Sequence, residues 1–553
     1  EAVDELGEGG LVGDVGLLSG EPHEALVIAV RDTEVARLAA ADVWAMVREH
    51  PELAEVLGRG AVQLLRAAFR PPLRPDLVNV AVVPIDQGAP LRTFASALAD
   101  ALGAGSSLRY VHAELFDAEI GEGASTDDVD AWDQTDRRIV RWVTEQERRY
   151  RFIVYEADRT WTAWTRRCVR MADKVLLVAR ADTVAEVTDT ERHLQAVAAV
   201  GQELVLMHPD DAERPRRTSV WLDRRPHLRR VHHVRLADPT TVARLARFLT
   251  NRSVGLVLGG GGARGTAQMG AIQALRDVGV PIDLVGGTSA GGGVAAMAAL
   301  GWDLETMRAR NHRAFVVMAP FQQYTLPFYS LIQKHRVEQV SRWLYGDARI
   351  EDLWLPMFCV ACDLVRGEKV VLRDGELWRA ILATTALPGV VPPVWFDGRL
   401  LVDGGVMDNN PVRTMREMHP GPTLLVDVGQ ARAELVSPPD LRDLPSPLTA
   451  LWHRFKPFGP RVKVPTIPEI VARTMTVARP NDDPSRLCDL YVRPAVDPYG
   501  LTDFKKADQL VAIGYNATMD ALAAKADDHA LLDSLSLSRH ALKDLPRLPV
   551  PGT

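Results

Sequence analysis

Four cysteines in 553 residues are too few for a disulfide framework, and they point to a reducing compartment. Long apolar runs are also lacking. No stretch approaches the roughly 18 to 20 residues that a bilayer-spanning helix needs, and no signal peptide opens the chain. Together these absences lead us to expect a cytoplasmic protein, at most peripheral at the inner face of a membrane. Positive charge is not in excess either. With 65 Lys and Arg against 72 Asp and Glu, a net charge of -7 gives no electrostatic footprint for nucleic acid as the main partner. The chain opens on Glu1 rather than Met, and no complete module starts there, so further sequence is expected ahead of it. What is present is globular: 47% hydrophobic and 25% charged, at a length that predicts about three or four domains.

Two of the cysteines, Cys359 and Cys362, form a CxxC inside "PMFCVACDLV". That run reads as a strand, where positions three apart face opposite ways, so core packing is expected rather than a metal site.

Residues 1–69 read as short strands and turns followed by helices. They resemble the second half of a cyclic-nucleotide-binding domain, with its glycine-rich phosphate cassette. Gly13-Asp14 stands where that family carries Gly-Glu, and His23 stands at the place of its phosphate-pairing arginine. Losing a permanent forked cation removes the strongest phosphate contact, so a docking or regulatory remnant is expected rather than a nucleotide site. "RPPLRP", Arg70 to Pro75, is a stiff linker. Over 77–250, "LVNVAVVPI", "YRFIVYEA", "DKVLLVA" and "QELVLMH" alternate with helical patterns such as "LRTFASALADAL", which predicts a parallel sheet in a Rossmann-like α/β domain. The region resembles nucleotide hydrolases of the partitioning-ATPase type. Its first strand, however, leads into "PIDQGAP", Pro84 to Pro90, with no Gly-Lys-Ser/Thr to hold phosphate and magnesium.

The chemistry collects after Ser253. "LVLGGGGARGTAQMG", Leu256 to Gly270, is an apolar strand, a glycine loop and a helix-like stretch. Gly260, Gly261, Gly262, Ala263, Arg264 and Gly265 fit a dinucleotide fingerprint, but the next strand ends in Gly286 and Gly287 without the ribose-binding acid, and Asp283 lies at its wrong end. The bare amides of such a loop, beside a helix N-terminus, equally suit a tetrahedral oxyanion. That second strand runs into Gly287-Thr288-Ser289-Ala290-Gly291, a G-x-S-x-G elbow. There a serine hydroxyl projects from a tight strand-to-helix turn that glycines two before and two after leave free of collisions.

A serine nucleophile needs a base. His312, His335, His419, His453, His529 and His540 lie downstream, none in a motif. Asp403, in "GRLLVDGGVMDNNPV", ends an apolar strand, and Gly404-Gly405 let the backbone turn away and leave the carboxylate facing a cleft.

These three ordered motifs, with "ATTALPGVVPPVWFDGRLLVDGGVMDNNPV" leading into the aspartate, resemble the patatin-like phospholipases. With the first two regions added, the chain resembles bacterial relatives of neuropathy target esterase. The resemblance implies a three-layer α/β/α hydrolase domain over 254–430, a C-terminal helical extension over 431–530, and a Ser289–Asp403 dyad without histidine. It also implies an oxyanion hole on the glycine loop, with Arg264 bracing that loop, and neither metal nor cofactor. The substrates it implies are phospholipids or lysophospholipids. "AFVVMAPFQQYTLPFYSLI", Ala314 to Ile332, is a candidate greasy mouth, and "LWHRFKPFGPRVK", Leu451 to Lys463, a candidate interfacial segment at a membrane surface. Cyclic nucleotide binding is not expected, and oligomeric state stays open. Two rival readings are a cyclic-nucleotide-regulated or scaffold protein with minor esterase activity, and a histidine-triad esterase.

Overall fold

The computed structural model describes residues 12–13, 17, 35–51, 53–54, 78–127, 134–197, 201–228, 230–326, 328, 330–429, 483–538, 542 and 546–551. Asp14, His23, the 70–75 linker, the 451–463 segment, His453 and His540 lie outside the described residues, as does most of 1–69. The chain divides into two compact units, Glu1–Asp211 with Val220–Thr250, and Ala212–Ser219 with Asn251–Thr553.

The first unit is built on six parallel strands: β1 (Val78–Pro84), β2 (Leu108–Val111), β3 (Phe152–Glu156), β4 (Lys174–Arg180), β5 (Gly201–Met207) and β6 (Val231–Val234), in the order β2-β3-β1-β4-β5-β6. Near-continuous apolar runs such as Val80–Val83 are buried on both faces, as a parallel sheet requires. Helix α1 (Leu91–Gly103) packs Phe94 and Leu98 against one face beside Val242 and Leu245. Where a phosphate loop would follow β1, Asp86 accepts from the amide of Gly88 and from the backbone and Nε of Arg180. A Cβ on Gly88 would lie 2.5 Å from the Arg180 guanidinium. An internal ion pair thus fills the turn that a nucleotide hydrolase opens to phosphate. Deeper in, Arg225 is enclosed by Glu191 and the carbonyls of Ala185, Glu186 and Trp221.

The second unit carries β7 (Gly255–Leu258), α2 (Ala267–Asp277), β8 (Leu284–Thr288), α3 (Ala290–Ala299), α4 (Leu304–His312), α5 (Lys334–Tyr345), β9 (Met357–Asp363), β10 (Glu368–Leu372), α6 (Leu377–Thr384), β11 (Val394–Phe396), β12 (Arg399–Asp403), β13 (Thr423–Val426), β14 (Leu490–Val492) and α7 (Ala507–Ala523). The sheet order is β11-β12-β9-β8-β7-β13-β14, with β10 also pairing to β9. Strands β14, β13, β7, β8 and β9 are parallel, whereas β12 returns antiparallel to β9. The stretch expected as a C-terminal helical extension also supplies a strand, β14, whose Leu490 and Val492 are buried. Helices α2 and α7 approach closely at two glycines: a Cβ on Gly270 would fall 1.9 Å from the Val511 carbonyl, and one on Gly514 1.8 Å from that of Ala267. Asp283 is buried and accepts from the Val254 amide, a structural role. Cys359 and Cys362 are buried on β9, and burial pushes the Cys359 thiol up to about 12. Among the described residues, no cluster of three or more His, Cys, Asp or Glu is placed to hold a metal, and no helix is long and apolar enough to cross a membrane.

Candidate active site

Strand β8 ends in Thr288 and helix α3 starts at Ala290, so the chain must reverse on the single residue between them. Ser289 does so at φ 55°, ψ −126°, a region that costs a non-glycine residue about 1–3 kcal/mol. The glycines of the elbow make the turn possible: a Cβ on Gly287 would lie 2.6 Å from the Gly291 backbone, and one on Gly291 2.0 Å from the Leu258 carbonyl. Thr288 donates its hydroxyl to the Asp408 carbonyl. Thr384 accepts the Ser289 amide at 2.9 Å and donates to the Val360 carbonyl. The strained turn is therefore pinned on both sides, which keeps the hydroxyl in one place.

The Ser289 hydroxyl donates to Asp403 Oδ2 at 2.6 Å. Asp403 is 3% exposed, and its other oxygen accepts from the Gly405 amide at 2.8 Å, so the 3₁₀ turn Gly404–Val406 aims the carboxylate. Gly404 lets β12 end against β9, since a Cβ there would meet the Val360 carbonyl at 2.2 Å.

The glycine loop faces the same hydroxyl, but its donors are not all free. The Gly260 amide donates to the Asn409 carbonyl at 3.2 Å, the Ala263 amide to the Leu501 carbonyl at 2.8 Å, and the Arg264 amide to the Gly261 carbonyl at 3.3 Å. Within this loop the amides of Gly261 and Gly262 have no partner among the described residues. Gly262 stands at φ 58°, and Gly265 admits the Ala290 methyl, which a Cβ would meet at 2.8 Å. Arg264 is buried and its Nε donates to the Tyr499 carbonyl at 2.7 Å, a brace between the loop and the C-terminal stretch.

Sequence reasoning missed Asn409, Thr384 and the 499–504 stretch. Asn409 Nδ2 donates to the Gly260 carbonyl at 3.0 Å; its place six residues after Asp403 was the available signal. Of the histidine candidates, His312, His335 and His529 are exposed, and His419 is buried beside Ser253 and Thr423. No described histidine lines the cavity above Ser289.

That cavity measures about 520 Å³. Its floor is the glycine loop, Ser289, Asp403 and Asn409, and its walls are apolar: Met269, Met297, Val337, Leu344, Ile381, Leu387 and Val391 among others. The 314–332 run supplies Phe315, Pro320, Phe321, Tyr324, Leu331 and Ile332. Phe315 stacks on Phe504 with centroids 4.6 Å apart, and Phe321 lies 5.9 Å from both rings. The arrangement can activate a hydroxyl, hold an oxyanion and bury an apolar chain beside both.

The family model described as the neuropathy target esterase family P-loop like domain matches residues 76–254, and that of patatin-like phospholipase matches 256–416. Patatin-like phospholipase domain-containing protein 6 of Pongo abelii is 34% identical over 93% of this chain and 41% of its own length. Lysophospholipase nte1 of Aspergillus terreus is 28% identical over 93% of this chain and 38% of its own length. The chain thus spans about two fifths of these relatives. Among solved structures, VipD from Legionella pneumophila matches 49% of this chain and 67% of that one at 16% identity, with a TM-score of 0.27.

Proposed function

We propose that this chain, which matches the neuropathy target esterase P-loop-like domain over 76–254 and patatin-like phospholipase over 256–416, hydrolyses carboxylic esters of phospholipids or lysophospholipids through Ser289 and Asp403. One observation carries the reading: the 2.6 Å Ser289–Asp403 hydrogen bond at the floor of an apolar cavity, beside the unengaged amides of Gly261 and Gly262.

Asp403 takes the Ser289 proton as the oxygen attacks the ester carbonyl, and the carbonyl oxygen becomes an oxyanion held by Gly261 and Gly262 N–H. The tetrahedral intermediate collapses, the C–O bond breaks, and Asp403 returns the proton to the leaving alcohol. A water molecule then repeats the sequence on the acyl-serine, releasing the fatty acid. Arg264 braces the loop and does not touch the reacting atoms.

The lipid must reach the cavity from a bilayer or micelle. Val317, Tyr324, Leu326 and Phe328 are exposed on the run that walls the cavity, Phe328 at 88%. This run is the reading's membrane-contacting edge, which makes the protein peripheral at a lipid surface. Incubating a mixed phospholipid extract with wild type and with Ser289→Ala, followed by lipid mass spectrometry, tests the function. Fatty acid and deacylated lipid should accumulate only with wild type, and equal release by both would refute it.

A further inference from the structure

Helix α3 begins directly after Ser289, and Ser289, Gly293 and Met297 all line the cavity. Spaced four apart, they stand one above another on a single helix face, at steps of about 6 Å along the axis. The cavity therefore has an arm that starts at the nucleophile and follows the helix. Leu344 and Tyr345 of α5 and Ile381 of α6 line it as well. The Tyr345 hydroxyl donates to the Gly293 carbonyl at 3.3 Å, which ties α5 to α3 at the level of the glycine.

Packing requires two of the three glycines in this helix to stay bare, but not the third. A Cβ on Gly291 would meet the Leu258 carbonyl at 2.0 Å, and one on Gly292 would meet Thr384 at 3.0 Å and Cys359 at 3.2 Å. A Cβ on Gly293 would meet nothing nearer than the Tyr345 hydroxyl at 3.4 Å and an Ile381 methyl at 4.0 Å. These are ordinary contacts, both with residues of the cavity wall. Alanine would fit there and would favour the helix, in whose interior glycine is less favourable than any residue but proline. From Gly291 to Ala299 every residue except Gly293 is buried, and the surface that Gly293 keeps open lines the cavity. What the missing side chain leaves is room in the arm, about one helical turn from Ser289.

We propose that Gly293 determines acyl-chain specificity: its bare backbone lets the chain of the scissile ester run along α3, between Tyr345 and Ile381, toward Met297. This rests on the reading of Ser289 as the nucleophile of a hydrolase. With the ester carbonyl at Ser289, an acetyl group ends short of the level of Gly293, whereas a long acyl chain must cross it. An apolar pocket reads a chain by the methylenes it buries, so the width at this crossing decides how many it admits.

The test compares kcat/KM on p-nitrophenyl acetate and p-nitrophenyl decanoate for wild type, Gly293→Ala, Gly293→Leu, and Gly293→Leu combined with Ile381→Ala. Wild type should prefer decanoate by roughly tenfold or more, since even one methylene in an apolar pocket is worth about that. In Gly293→Leu the preference should fall by about tenfold or more, because the new side chain fills the arm. Adding Ile381→Ala should restore most of it, since the facing wall then gives up about the volume gained at 293. Gly293→Ala should show a smaller fall with its thermal midpoint held or raised, and this variant carries the test if the leucine variant does not fold. No preference in wild type, or a preference unchanged in the folded Gly293 variants, would overturn the proposal. So would equal losses on both esters that Ile381→Ala does not rescue, since these mark damage to the Ser289 turn rather than a closed arm. Turnover of both esters by Ser289→Ala at wild-type rates would instead bring down the hydrolase reading, and the arm with it.

Discussion

Gly260 and Asn409 hold each other twice: the Gly260 amide donates to the Asn409 carbonyl at 3.2 Å, and Asn409 Nδ2 donates back to the Gly260 carbonyl at 3.0 Å. The pair ties the loop that carries the free amides to the segment that follows the carboxylate. Asn409→Leu removes one of the two bonds and leaves a buried carbonyl unpaired. Hydrolysis of a p-nitrophenyl acyl ester should lose about 10²-fold in kcat, the scale expected when a catalytic group moves by about 1 Å, with little change in KM. Steady-state kinetics and a melting curve together separate this from unfolding.

Ser289→Ala should abolish ester turnover, and Asp403→Asn should lower acylation by about 10²–10⁴-fold, the range for loss of a general base. Alanine at His312, His335 or His529 should leave turnover within a few fold of wild type. A burst of nitrophenolate in stopped flow reads acylation directly. A single-histidine variant that is folded and inactive would transfer the base from Asp403 to that residue.

Acid should weaken the first unit. His208 is buried, its Nε2 2.9 Å from His233 Nδ1, and burial pushes its pKa down from 6.5 to about 4. Between those values the unfolded chain binds a proton that the folded one refuses, so this contribution is complete above pH 6.5 and is lost as pH falls toward 4. His208→Gln should flatten that acid limb, measured as thermal midpoint against pH from 4 to 7.

Charges on the exposed run should uncouple the protein from lipid. Replacing both Leu326 and Phe328 by Asp removes two apolar side chains, each worth about 1.5–3 kcal/mol when fully buried. Vesicle flotation with phosphatidylcholine–phosphatidylglycerol liposomes should show at least tenfold weaker binding. Turnover of a water-soluble short-chain ester should fall far less than turnover of vesicle lipid.

The motifs that were legible in the sequence are those whose chemistry is local. A strand, a glycine loop and a helix start fall within about fifteen residues, and the elbow and the D-G-G turn, though their Ser289 and Asp403 are 114 residues apart, are each as short, so each turn is set by its own neighbours. The long apolar strands of the first unit, β1, β3, β4 and β5, were readable for the same reason, whereas β2 and β6 are four residues each with polar members such as Arg109 and His232. Hidden from sequence were contacts between distant segments. Arg264 meets Tyr499 and Ala263 meets Leu501, and only the folded sheet tells which loop amides are already engaged.

Strand β9 lies between β8, which leads into Ser289, and β12, which ends in Asp403. Thr288 of β8 is level with Val360, and Asp403 of β12 is level with Ala361, so the two backbones stand about 10 Å apart across β9 and only the side chains close the gap. Strand β9 therefore works as a gauge block. A slip of one residue on either side would shift one partner by about 3.3 Å along the strand and part hydroxyl from carboxylate. Residues of β9 that touch neither group are thereby held to the tolerance of the Ser289–Asp403 hydrogen bond.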